Sequence, residues 1–123
     1  MSTQLIPRED WSSFLTAFSG QHEGWLVTLE VLSRQAGAQV KAREMALSSI
    51  TVEPSHRDTK QISIVLGGPE HIRHPVREPE SVELHETTMG AHESLEIKSS
   101  DGTATILRFR SAVPAEQVDG IVQ

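Results

Sequence analysis

The stretch ELHETTMGAHESLEI, Glu83 to Ile97, places two histidines and four glutamates within fifteen residues. Imidazole and carboxylate together are the donor set of divalent-cation sites and of acid–base catalysis. Register decides which of these side chains meet. A two-residue turn at Met89-Gly90 sets Leu84 opposite Leu95 and Val82 opposite Ile97, giving the hairpin one apolar face, as packing on a core requires. On the other face Glu83 lies opposite Glu96, His85 opposite Ser94 and Thr87 opposite His92. Two glutamates directly opposed repel, so a cation or an arginine has to relieve them.

The next strand offers arginines. A three-residue loop, Ser100-Asp101-Gly102 with Gly102 left-handed, keeps that strand in phase, with Leu95 facing Leu107 and Glu93 facing Phe109. Arg108 then lies beside Ser94 and Arg110 beside His92. The polar face becomes a lattice of Glu83, Glu96, His85, His92, Arg108 and Arg110. Its plainer reading is a solvated network of ion pairs, each worth little. Its chemical reading is a divalent cation held by Glu83, His85 and Glu96. The mixed set suits zinc, manganese or nickel, and carboxylates alone would suit calcium. The arginines compete for the same carboxylates.

The other histidines are candidates of a different kind. In His71-Ile72-Arg73-His74-Pro75 an extended chain points His71 and His74 to opposite faces, and Pro75 disfavours the helix that would bring them together. His22, in His22-Glu23-Gly24-Trp25, is either a general base or a junction residue whose ring satisfies a carbonyl left free at a helix end. Other chemistry lacks its motif. Gly67-Gly68-Pro69 is not followed by Lys-Ser/Thr, so it is no phosphate loop; no Gly-x-Ser-x-Gly elbow occurs; Ser100-Asp101-Gly102 lacks the remaining acids of a calcium loop.

The elements that must position these residues are legible from periodicity. Trp11, Phe14, Leu15 and Phe18 recur at i, i+3, i+4 and i+7, which predicts an amphipathic helix from Pro7 to Ser19 that stops at Gly20. From Trp25 the period changes to two. Strands are expected at Trp25–Leu32, Ala38–Met45, around Ile62–Leu66, Ser81–Thr87, Ala91–Lys98 and Thr103–Arg110, with His71–Val76 as a proline-bent edge or loop. The tail from Pro114 to Val122 suits a short helical turn. The fold class expected is α+β: an N-terminal helix on a curved antiparallel sheet of six or seven short strands, open or closed like a barrel, as a single domain over residues 1–123. Trp11, Phe14, Phe18, Val27, Leu29, Ile62, Ile64, Leu84, Leu95, Leu107 and Phe109 are the expected core.

The totals narrow the function. The chain has no cysteine, which removes thiol chemistry and cysteinyl zinc sites. A net charge of −6 and the absence of tyrosine argue against nucleic acid and anionic membranes as partners. No apolar run approaches the roughly 18 residues of a membrane span, and MSTQLIPREDW lacks the pattern of a signal peptide, so a cytoplasmic location is expected.

WSSFLTAFSGQHEGWLVTLEVL, GAQVKAREMAL, HIRHP and LEIKSSDGTATILRFRS together resemble a family of small bacterial proteins, domain-of-unknown-function family 5335. The resemblance covers most of the chain and implies a bacterial single-domain protein; it brings no activity, cofactor or site residue with it. The leading functional expectation is a non-enzymatic binding or assembly module. It would recognise a protein partner or self-associate through an edge strand at Lys60–Leu66 or His71–Val76. Weak divalent-cation binding by residues 83–97 is the first alternative. A small enzyme with His22 or His74 as general base is the second.

Overall fold

The computed structural model describes residues 2–54, 60–67, 71–86 and 92–109. Among them are one α-helix, α1 (Trp11–Gln21), and eight strands: β1 (Ser2–Ile6), β2 (Leu26–Ser33), β3 (Gly37–Pro54), β4 (Lys60–Leu66), β5 (Ile72–Arg77), β6 (Pro79–Glu86), β7 (His92–Ser99) and β8 (Ala104–Phe109). The strands form one antiparallel sheet in the order β1-β6-β7-β8-β2-β3-β4-β5. The helix-plus-antiparallel-sheet expectation holds in its coarse form. The strand number does not, and the sheet is not a closed barrel, because β1 and β5 are free edges.

β3 makes the architecture. Its first half pairs with β2 and its second half with β4. The ladders shift register between Val27 and Glu30 and again between Leu47 and Ser49, and Glu44 adopts φ 50. Such bulges bend a strand and raise its twist. The bend brings apolar residues of β4 and β5 into one core cluster with those of β6, β7 and β8: Ile62, Ile64, Leu66 and Val76 with Val82, Leu84, Leu95, Ile97 and Leu107. The same bulges break the two-residue alternation. The expected strand Ala38–Met45 is therefore only the first part of β3, which runs on to Pro54.

Helix α1 covers one end of this core with Trp11, Leu15 and Phe18. Phe14 is only partly buried. A 3-10 turn, Arg8–Asp10, precedes the helix, so Pro7 opens that turn and not the helix itself. Arg8 donates to the Pro79 carbonyl at 3.2 Å and stacks its guanidinium over the Trp11 ring. The Trp11 indole donates to the Ile6 carbonyl at 3.0 Å, which anchors β1 to the start of the helix. Gly20 lies inside the helix; the left-handed glycine that follows the helix is Gly24, at φ 90.

β1 was not expected. Of its described side chains only Ile6 enters the core, and Leu5 beside it is exposed, so the segment has no alternation to read. Lys60–Leu66 is not an edge, since β4 lies between β3 and β5. β5 is an edge, and it carries Pro75 together with Arg73 and Arg77. Arg73 binds both carboxylate oxygens of Glu53, at 2.6 and 2.7 Å. Proline and charge on an outer strand blunt edge-to-edge pairing. The expected turn at Met89-Gly90, Thr87, Arg110 and the tail 114–122 lie outside the described residues.

Candidate functional site

The sheet segment β1-β6-β7-β8-β2 has two faces. The inner face carries Ile6, Val82, Leu84, Leu95, Ile97, Leu107, Phe109, Val27 and Leu29 into the core. Register lays out the outer face in rows. One runs Leu5, Glu83, Glu96, Ile106, Glu30 and, on β3, Val40. Beside it runs Thr3, His85, Ser94, Arg108, Thr28. On the opposite flank lie Ser81, Lys98, Ala104, Leu32 and Ala38.

The hairpin register read from the sequence is present from Val82–Ile97 through His85–Ser94, including Glu83 opposite Glu96. The ladder slips beyond His85, so Glu86 and not Thr87 is the partner of His92. No apolar pair lies past Leu84–Leu95 to hold the phase there. The loop Ser100–Gly102 is also present, closed by Ser99 N–H on the Thr103 carbonyl at 2.8 Å, with Gly102 at φ 91. Leu95 faces Leu107 and Ser94 faces Arg108.

His85 and the two glutamates converge. His85 Nε2 lies 3.2 Å from Glu96 Oε1 and 3.6 Å from Glu83 Oε1. All three side chains are about one quarter exposed or less. On the other side of the ring, His85 Nδ1 lies 3.1 Å from Thr3 Oγ1 on β1. Lys98 approaches Glu83 only to 4.0 Å and is half-exposed. Arg108, set beside this cluster by register, turns the other way and binds Glu30 on β2 at 2.9 Å. The lattice expected over the whole face is thus divided. One part is an Arg108–Glu30 pair, and the other is the imidazole–carboxylate cluster.

The far end of the same face is apolar. Leu32 and Val40 are exposed, and Ala38, Ala104 and Ile106 adjoin them in the register. Of the four exposed large apolar side chains among the described residues, Leu5, Leu32 and Val40 all lie on this face.

The remaining candidates lie elsewhere and apart from one another. His22 is fully buried. Its Nδ1–H donates to the Phe18 carbonyl at 2.7 Å, and its ring stacks on Phe18 and Phe109 and meets the edge of Trp25. That is a helix-end role, with the imidazole shut away from solvent. His74 pairs with Ile64 on the inner side of β5. Burial pushes its imidazole below the usual histidine range, and the Lys41 charge pushes the same way. His71 is exposed just before β5. A cleft of about 350 Å³ between α1 and β6 is lined by Gln4, Phe14, Ala17, Phe18, Gln21, Leu84 and Glu86 and touches none of these three histidines. Sequence reasoning missed Thr3, whose link to His85 depends on a strand partner 82 residues away.

No helix among the described residues is long and apolar enough to cross a membrane. An uncharacterised protein of the bacterium Aquifex aeolicus (strain VF5) is 27% identical over 114 residues, covering 93% of this chain and 97% of that protein. No solved structure matches the chain. The match to the family model runs over residues 2–118, and the chain belongs to that family, the family of unknown function DUF5335.

Proposed function

We propose that the protein is a non-enzymatic assembly module that works through the outer face of its sheet, pairing with a second copy of itself. The observation carrying this reading is the patch of exposed Leu32, Ala38 and Val40 at one end of this face, with the half-buried Ala104 and the buried Ile106 beside them in the register. A solvated sheet face normally alternates to polar, and grouped exposed apolar residues mark contact surfaces. The Glu30–Arg108 pair borders the patch with both signs of charge. Association by this face also fits the blunted β5 edge, which discourages strand addition there.

Sedimentation velocity over about 1 µM to 1 mM spans the affinities expected of such a contact. The expected outcome is a concentration-dependent dimer, with Val40→Lys and Leu32→Glu each shifting it to monomer. A wild-type chain that stays monomeric throughout that range overturns the reading.

A further inference from the structure

We infer that Glu83, His85 and Glu96 form a binding site for a divalent transition-metal ion of the zinc class, open to solvent on one side. The argument begins with spacing. Metal–ligand distances near 2.0–2.1 Å put neighbouring ligands of a tetrahedral ion roughly 3.3 Å apart. His85 Nε2 stands 3.2 Å from one carboxylate oxygen and 3.6 Å from the other. Two of the three ligand–ligand edges therefore already have the length that an ion requires, and the donor atoms all lie within 4.8 Å of one another.

Charge points the same way. Glu83 and Glu96 face each other directly across the β6–β7 ladder, an arrangement that costs stability unless positive charge lies between them. The nearest arginine in the register, Arg108, is engaged by Glu30, and Lys98 reaches Glu83 only at 4.0 Å. A cation between the carboxylates adds positive charge to that of the half-exposed Lys98.

The imidazole is held from outside the cluster. A metal takes the lone pair of Nε2, so the ring proton must sit on Nδ1 and needs an acceptor there. Thr3 Oγ1, on a different strand, is in place at 3.1 Å. A hydroxyl both donates and accepts, so Thr3 serves the metal-bound tautomer as well as the one in which Nε2–H donates to Glu96. Thr3 is thus assigned as a positioning residue, and Glu83, His85 and Glu96 as the ligands.

The donor set decides the ion. One nitrogen and two carboxylates suit zinc, whereas calcium takes six to eight oxygens and magnesium an octahedron of them. All three ligands come from one face of two adjacent strands, so the ion is held from below and keeps its outward position for water or an added ligand.

Isothermal calorimetry of the full chain with zinc, calcium and magnesium chlorides tests the site. One zinc per chain is expected, with no heat from calcium or magnesium at the same concentrations. His85→Gln and Glu96→Gln should each weaken zinc at least tenfold. Thr3→Val, which leaves every ligand in place, should weaken it about 10–100-fold. Glu23→Gln, an exposed carboxylate away from this face, should leave it unchanged. Circular dichroism confirms that each variant is folded. Cobalt(II) in place of zinc gives a second readout, since its visible band should shift when acetate fills the open position. Absence of zinc binding, or zinc binding indifferent to both His85→Gln and Glu96→Gln, overturns the inference. A Thr3→Val variant that binds as tightly as wild type removes Thr3 from it.

Discussion

His22 and His74 show how differently one residue type is used in this chain. His22 is enclosed by Phe18, Trp25 and Phe109 and gives its Nδ1 proton to the Phe18 carbonyl. His22→Ala leaves a hole in that aromatic nest and removes a buried hydrogen bond; a loss of about 3 kcal/mol is expected in urea unfolding. His74 is half-buried, and its folded-state pKa is depressed by burial and by Lys41. Below the ordinary histidine value of about 6.5 the unfolded chain therefore takes up a proton that the folded chain resists. The stability that His74 contributes is fully present above that value and is lost as pH falls below it and through the lowered folded-state value. Wild type should lose more stability than His74→Gln between about pH 7.5 and 5.5, as read from urea midpoints at each pH. Equal losses would show that His74 is not the group responsible.

At the scale of elements, the loop joining β7 to β8 stands on two devices. Asp101 Oδ1 accepts the Thr103 backbone N–H at 2.9 Å, which also holds its carboxyl below the usual range. Gly102 takes φ 91, where a Cβ is strained although the nearest side-chain atom is at an ordinary 3.7 Å. Gly102→Ala should therefore cost about 1 kcal/mol through backbone conformation alone, measured as a lower urea midpoint with unchanged m-value. This loop and the β6–β7 register were legible in the sequence, because Leu84, Leu95, Leu107, Val82 and Ile97 alternate without a break and a slip by one residue would expose them all. β1 and the full length of β3 were not. β3 breaks its own alternation at its bulges, and β1 finds β6 only through the finished fold. The candidate site divides along the same line. Glu83, His85 and Glu96 follow from local hairpin register, while Thr3 on His85 and Glu30 on Arg108 follow from pairings between distant segments.

Across the whole molecule, β3 is the strand that belongs to both halves of the sheet, and its buried Leu47 and Ile50 lie in the core where the halves meet. Leu47→Ala or Ile50→Ala should cost about 2–5 kcal/mol and lower the stability of both halves together, giving one unfolding transition by circular dichroism and by tryptophan fluorescence alike. Separate transitions would mean that β3 does not couple them. The order of the strands in the sheet has a further consequence, one for synthesis. β2 lies between β3 and β8, and Glu30 meets Arg108 from 78 residues away. At the usual ribosomal pace, several seconds pass between the making of β2 and of its second neighbour. Throughout that interval one side of β2 has no strand to pair with. The middle of the sheet is therefore the last part to close, and the growing chain carries an open seam until β8 emerges.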